Sequence, residues 1–442
     1  MDISKMRVAD YLGKTIDCEC GRTHTVEIEI VEISKGAMAK VPEFISGDGF
    51  NKPFIIADRN TQEVAGKRLQ ELLSEHHIPF SSYVFDELEL VPDEHAVGKL
   101  LVNFDTTCDM VIAVGSGTIN DISRFLSHRL GIPYYVVATA PSMDGYASTV
   151  APFIRNNLKT TFECKMPRAI IADLELIASA PQEMIAAGFG DVIGKFTCLA
   201  DWELSAIINN EYYCELVVDI TRQSLLKTID LREGIANGDQ GAIGELMEAL
   251  VLAGIGMSYV GNSRPASGSE HHVSHFWEMR FLFDNKPAVL HGIKVGLATI
   301  LISQLYERLR HENLNSLLIS QISVSSNNTW SEEVHRVFLD AAQEVIELEN
   351  AVGKNSLEGH RERIKSISQN WERILEVLDT VPEPQVIRGL LKSVNGPTSY
   401  EQVGITHELV REAVLYGKEI RPRYTILQLL WDLNLLSKYA NN

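Results

Sequence analysis

Four histidines fall between residues 271 and 291 of this 442-residue chain. They sit in Ser267-Gly268-Ser269-Glu270-His271-His272-Val273-Ser274-His275 and in Leu290-His291-Gly292. His271 and His275 are four residues apart, so a helix places both on one face. His291 opens a second apolar segment, His-Gly-Ile-Lys-Val-Gly-Leu-Ala-Thr-Ile, that reads as another helix. Two imidazoles from adjacent helices plus one carboxylate make a metal site with a position left for a substrate oxygen. Satisfied or solvated histidines are the alternative, and the rest of the chain decides between them.

The elements that position these residues fall into two textures. Between residues 53 and 173, short apolar runs recur at Phe54–Ala57, Tyr83–Phe85, Met110–Val114, Tyr134–Ala138 and Ala169–Ala172. Amphipathic segments such as Gln62–His76 and Asn120–Leu130 separate several of them. This alternation predicts a parallel sheet with helices on both faces. From Ser179-Ala-Pro181-Gln182, which fits a helix start with Ser179 as N-cap, the pattern is helical to the end. A polar loop is expected at Ser323–Thr329. The fold class is therefore an α/β, Rossmann-like domain over residues 1–178 plus an all-α domain over 179–442, the latter carrying the histidines.

Two motifs stand where sheet strands end. Gly115-Ser116-Gly117-Thr118-Ile119-Asn120-Asp121 follows the run at Val111. A small-residue turn from strand to helix exposes backbone N–H groups suited to a pyrophosphate, although Asn120 breaks the usual dinucleotide fingerprint. Thr139-Ala140-Pro141-Ser142-Met143-Asp144-Gly145-Tyr146-Ala147-Ser148 follows the next strand and clusters hydroxyls with a carboxylate, or else forms a capped turn. Asp58 ends the strand Ile55-Ile-Ala, where a carboxylate accepts bonds from ribose hydroxyls and disfavours a 2′-phosphate. Gly188-Phe189-Gly190-Asp191-Val192-Ile193-Gly194-Lys195 lacks the first glycine and the Ser/Thr of a P-loop. Asp191 instead reads as the start of a helix, either capping it or pointing inward as a ligand.

Composition narrows the partners. The net charge is -19, with no basic run, which argues against nucleic acid or an anionic membrane surface. The N-terminus has no apolar signal region, and the six cysteines are sparse, so reduced thiols in a cytoplasmic protein are expected. Cys18-Glu-Cys20-Gly21-Arg-Thr-His24 resembles half a metal knuckle, but its spacing is tight and no second pair follows. It reads as a hairpin turn, with Thr25–Ser34 continuing as a strand.

In order, the chain carries Gly-x-Gly-x-x-x-Asp at 115–121, Thr-x-x-Ser-x-Asp-Gly at 139–145 and Gly-x-Gly-Asp at 188–191. Ser-Gly-Ser-Glu-His-x-x-Ser-His follows at 267–275 and His-Gly-x-x-Val-Gly at 291–296. This series resembles the sn-glycerol-1-phosphate dehydrogenases of the iron-containing alcohol dehydrogenase and dehydroquinate synthase-like superfamily. The tail Arg421-Pro-Arg-Tyr-Thr-Ile-Leu resembles their bacterial branch, sometimes encoded with arabinose genes. The resemblance implies metal ligands Asp191, His271 and His291. It also implies substrate contacts from Asp144, Asp191 and His275, with His275 placed to relay a proton and Asp191 counted with the catalytic groups. Cofactor contacts would come from Asp58, Gly115, Ser116, Gly117, Thr118, Ile119, Thr139, Ala140, Pro141, Ser142 and Ser148. Ser116 stands where relatives often have a third glycine, and His272 reads as a bystander. The implied cofactors are NAD(H) or NADP(H) and one divalent metal, zinc or nickel. The implied reaction is reversible reduction of dihydroxyacetone phosphate to sn-glycerol 1-phosphate by a homo-oligomer, a dimer first. A dehydroquinate synthase-like lyase and a polyol dehydrogenase such as glycerol dehydrogenase are the alternatives within the fold. For the substrate phosphate, Arg155, Lys159, Lys195 and Arg264 are the cations considered.

Overall fold

A computed structural model describes residues 7–87, 89–155, 158–323 and 329–441, apart from the side chains of residues 158–160. Residues 324–328 of the expected polar loop lie outside this description. Packing divides the chain into two compact units that interleave in sequence, unlike a single cut at residue 178. The first holds Met1–Val192, Asp219–Asn262 and Ser393–Asn395; the second holds Ile193–Val218, Ser263–Lys392 and Gly396–Asn442.

In the first unit, β1 (Ile16–Asp17) and β2 (Thr23–His24) form a small antiparallel hairpin. A six-stranded sheet is built from β3 (Ile30–Ser34), β4 (Pro53–Asp58), β5 (Ser81–Phe85), β6 (Met110–Gly115), β7 (Tyr134–Ala138) and a further strand, Ala169–Asp173. β8 (Val150–Arg155) and β9 (Leu158–Glu163) pair antiparallel outside it, which makes Ala169–Asp173 β10. The sheet order is β3-β10-β7-β6-β4-β5, and every pairing in it is parallel. The continuous apolar runs of β4, β6, β7 and β10 follow from burial on both faces: Ile55, Ile112, Val137 and Ile171 are all in one core cluster. The strand expected at Thr25–Ser34 is realised only over Ile30–Ser34.

Helix Gln240–Val260 explains why the units interleave. An added Cβ at Gly244 would stand 2.7 Å from Leu174, and one at Gly254 would stand 2.6 Å from Ala147. These glycines let the helix lie directly on the sheet unit, although it is far away in sequence. The helix is long and apolar enough to cross a membrane, but 83% of its apolar window is buried inside the protein.

The second unit is helical. Lys195–Asn209, Ser269–Phe283, His291–Arg310 and Ile426–Asp432 are the helices that bear on the histidines. The helix expected to start at Asp191 starts instead at Gln182 and ends at Ile193, so Asp191 lies in its last turn. Ser179 belongs to the end of the preceding short helix, where its hydroxyl donates to the Leu176 carbonyl at 2.7 Å. Pro181 supplies the carbonyl that accepts the first bonds, from Met184 and Ile185.

Candidate functional site

In the first unit, parallel pairing of β4, β6 and β7 aligns their C-terminal ends, with Gly115 opposite Ala138. Asp58, the Gly115–Ser116 turn and Thr139–Ser142 thus emerge at one sheet edge, where open α/β sheets bind ligands. Gly115 is required by close approach: a Cβ there would lie 2.6 Å from Ile119 Cβ. At Gly117 an added Cβ would meet only Met143, at 3.7 Å. Thr118 and Ile119 occupy the first turn of helix Gly117–Leu130, whose N-terminal N–H groups suit an anion. Ser116 shares a hydrogen bond with the Ser142 hydroxyl, and Thr139 N–H donates to the Gly115 carbonyl at 3.2 Å.

The loop from Thr139 to Ser148 is held by a residue that sequence reading passed over. Arg124 is fully buried and donates to the carbonyls of Gly145, Tyr146 and Val150 while pairing with Asp121 at 2.9 Å. The Tyr146 hydroxyl donates to Ala140 O at 2.6 Å, and Ser148 Oγ accepts from Val150 N–H at 3.1 Å. Asp191 Oδ2 accepts from the backbone N–H of Asp144 at 2.9 Å, and both residues are buried. Gly188 permits this arrangement, because a Cβ there would stand 1.8 Å from the Pro141 carbonyl oxygen. Gly188 thus serves helix packing and not a phosphate loop. Asp58 acts as a helix cap: its Oδ1 accepts from Thr61 N–H at 2.9 Å, and its own N–H donates to Thr61 Oγ1 at 3.0 Å.

In the second unit the helix expected over His271 and His275 is Ser269–Phe283, and the next one begins at His291 as read. The three rings cluster: centroids are 5.2 Å apart for His271–His291, 5.6 Å for His275–His291 and 6.0 Å for His271–His275. His271 Nδ1 faces Glu270 Oε1 at 2.8 Å. A carboxylate can only accept, so Nδ1 carries the proton and Nε2 presents its lone pair, the usual preparation of a metal-ligating histidine. Glu270 is completely buried. Burial opposes its charge, but bonds from His271, Thr197 Oγ1 at 2.6 Å and Gly268 N–H at 2.7 Å outweigh it and hold the carboxyl below its ordinary value.

His275 is oriented in the same way by Glu278, 3.3 Å from its Nδ1. Glu278 also lies 3.6 Å from the ammonium of Lys294, a buried residue one turn into the helix that starts at His291. His275, Glu278 and His291 each offer a ligand atom within 4.8 Å of the others, so they form a rival metal set. His272 is fully buried, with neither ring nitrogen hydrogen-bonded. Burial first, then the nearby Arg423 and Arg421, hold it neutral well below its ordinary pKa, which fits a bystander.

Asp201 ties the histidine helices together. It accepts from Ser269 N–H at 2.6 Å, from the Ser269 and Tyr306 hydroxyls, and from Ile426 N–H at 2.7 Å. Burial, then the charge of Glu270, push its carboxyl up to about 6. With this many donors converging, an amide has no equivalent place. Asp201→Asn should cost about 1–3 kcal/mol, from leaving buried donors unsatisfied. Denaturant unfolding that shows no loss would remove Asp201 from this role.

The cations proposed from sequence are mostly committed elsewhere. Arg264 donates to Glu211 at 2.8 Å and to Tyr424 O, and Lys195 donates to Ala266 O at 3.1 Å. Arg155 is exposed beside the Phe162 ring, and the side chain of Lys159 lies outside the described residues. Glu270, Glu278, Lys294 and Asp201 are the functional neighbours missed. Glu278 and Lys294 each follow a histidine by three residues, a helical spacing that was an available signal; Glu270 and Asp201 gave none.

Comparison with known proteins agrees with this architecture. Residues 32–181 match the family described as iron-containing alcohol dehydrogenase. A glycerol-1-phosphate dehydrogenase (NAD(P)+) of Halalkalibacterium halodurans is 35% identical over 418 residues, covering 94% of this chain and 95% of that one. The Bacillus subtilis protein of the same description is 31% identical, covering 96% of each. Among solved structures, glycerol dehydrogenase from Schizosaccharomyces pombe superposes with a TM-score of 0.61 at 14% identity, covering 95% of this chain and 90% of that one.

Proposed function

Because the chain belongs to the NAD(P)+-linked glycerol-1-phosphate dehydrogenase family, we propose that it catalyses the reversible NAD(P)H-linked reduction of dihydroxyacetone phosphate to sn-glycerol 1-phosphate. Supporting this is the cluster of His271, His275 and His291, each pair of rings within 6.0 Å, in a chain that matches these relatives over nearly its full length. In this reading Asp191, His271 and His291 hold a divalent ion, zinc or nickel. The donor set suits such an ion: one carboxylate and two imidazoles, with the His271 proton held on Nδ1 by Glu270. When bound, the ion supplies Lewis-acid polarisation of the ketone oxygen.

The chain's own residues do the rest. His275 passes a proton to the oxygen as hydride arrives and takes one back in the reverse direction, its ring fixed by Glu278. Asp144 binds the substrate hydroxyl side, with Asp191 beside it. Lys294 brings a buried positive charge to the substrate phosphate. Gly115, Ser116, Gly117, Thr118 and Ile119, with Thr139, Ala140, Pro141, Ser142 and Ser148, would hold the cofactor, and Asp58 would accept from its adenosine ribose. A homodimer belongs to the same reading.

Handedness of the product tests the proposal. NADH oxidation with dihydroxyacetone phosphate should yield glycerol phosphate that a dehydrogenase specific for sn-glycerol 3-phosphate leaves untouched. Product consumed by that enzyme would overturn the stereochemical assignment.

Asp58 makes a smaller prediction. Its carboxylate repels a 2′-phosphate, while serine retains the helix cap without the charge. Asp58→Ser should raise the kcat/KM ratio of NADPH over NADH by roughly 3- to 10-fold, the worth of about 1 kcal/mol. An unchanged ratio would mean that Asp58 is a cap alone.

A further inference from the structure

The N-terminal hairpin brings together two thiols and an imidazole that the proposed reaction does not use. Its turn closes through Cys18 N–H to Arg22 O at 3.1 Å and Gly21 N–H to Cys18 O at 3.0 Å, with Gly21 at φ 82. Only glycine adopts that angle without strain. Closure places Cys18 Sγ, Cys20 Sγ and a His24 ring nitrogen within 4.8 Å of one another, and Cys20 Sγ is 3.4 Å from His24 Nε2.

His24 is oriented as a ligand would be. It is buried, stacks on the Tyr259 ring at 5.0 Å, and its Nδ1 lies 3.0 Å from Tyr259 O. A carbonyl only accepts, so Nδ1 is protonated and Nε2 turns its lone pair toward the thiols. A turn alone needs neither the thiols nor this tautomer. The hairpin reading and the metal reading of Cys18-Glu-Cys20-Gly-Arg-Thr-His24 are compatible, because the turn is what gathers the ligands.

We infer that Cys18, Cys20 and His24 are three of the ligands of a structural zinc ion, distinct in donors from the catalytic site. Thiolate with imidazole selects zinc among common divalent ions. Ligand atoms of a tetrahedral zinc stand roughly 3.5–3.8 Å apart, so spacings of 3.4 Å for Cys20–His24 and at most 4.8 Å within the set need only a small adjustment. The ion would fasten the hairpin to the end of helix Gln240–Val260, where Arg22 also donates to Val260 O at 3.2 Å.

The donor sets make the test specific, since the proposed catalytic site contains no thiolate. Zinc-loaded full-length Cys18→Ser/Cys20→Ser should hold one metal equivalent fewer than the parent while still reducing dihydroxyacetone phosphate. Cobalt-loaded parent protein should show thiolate-to-cobalt absorption in the near ultraviolet. That band should persist in His271→Ala and vanish in the double cysteine variant. If the double variant fails to fold, the band in the parent and in His271→Ala still decides. A double variant with undiminished zinc, or cobalt-loaded parent without the band, overturns the assignment.

Discussion

Replacing His271 or His291 by alanine should remove the catalytic metal and nearly all activity. His271 is pre-set for this role, because Glu270 holds its Nδ1 proton and is itself fixed by Thr197 and Gly268. Its ring lies 5.2 Å from that of His291, centroid to centroid. Losing one of two imidazoles leaves too few donors for tight binding. The Lewis-acid contribution is several kcal/mol, so kcat/KM should fall by about 10³-fold or more. Elemental analysis and steady-state kinetics on each variant check this. Full metal content with full rate in either variant would sink the ligand assignment.

His275→Ala should behave differently, retaining metal while its rate falls by roughly 10²–10⁴, the scale of losing a positioned acid or base. His275 is partly exposed where His271 is buried, and its Nδ1 is taken by Glu278. The rival set His275, Glu278 and His291 gives this prediction its force. If that set held the ion, His275→Ala would lose metal as completely as His291→Ala does, and His271→Ala would keep it. A lower kcat with an unchanged metal content assigns the proton to His275.

The sheet was legible because parallel strands covered on both faces must be apolar throughout, as in β6 and β7. The histidine helix was legible because positions 271 and 275 share a face, and the helix at His291 begins where its apolar run begins. What escaped depends on contacts distant in sequence. Helix Gln240–Val260 joins the sheet unit through Gly244 on Leu174 and Gly254 on Ala147, and no local pattern announces either contact. Asp191 was placed at a helix start because Val192, Phe196 and Leu199 follow it at helical spacing. The helix instead runs on from Gln182, and Gly188 admits the Pro141 carbonyl against its middle. Asp201 and Glu270 are ordinary carboxylates in sequence, and only the donors gathered around them reveal their work.

Substrate choice as a function of metal tests the account most directly. The purified protein is stripped of metal, reloaded with zinc or nickel, and assayed by NADH oxidation with dihydroxyacetone phosphate and with unphosphorylated dihydroxyacetone. The account predicts negligible turnover when stripped, recovery with one of these ions, and kcat/KM at least about 10²-fold higher for the phosphorylated ketone, as expected when a phosphate finds a buried cation. Equal or better use of dihydroxyacetone, or full activity without metal, would contradict it.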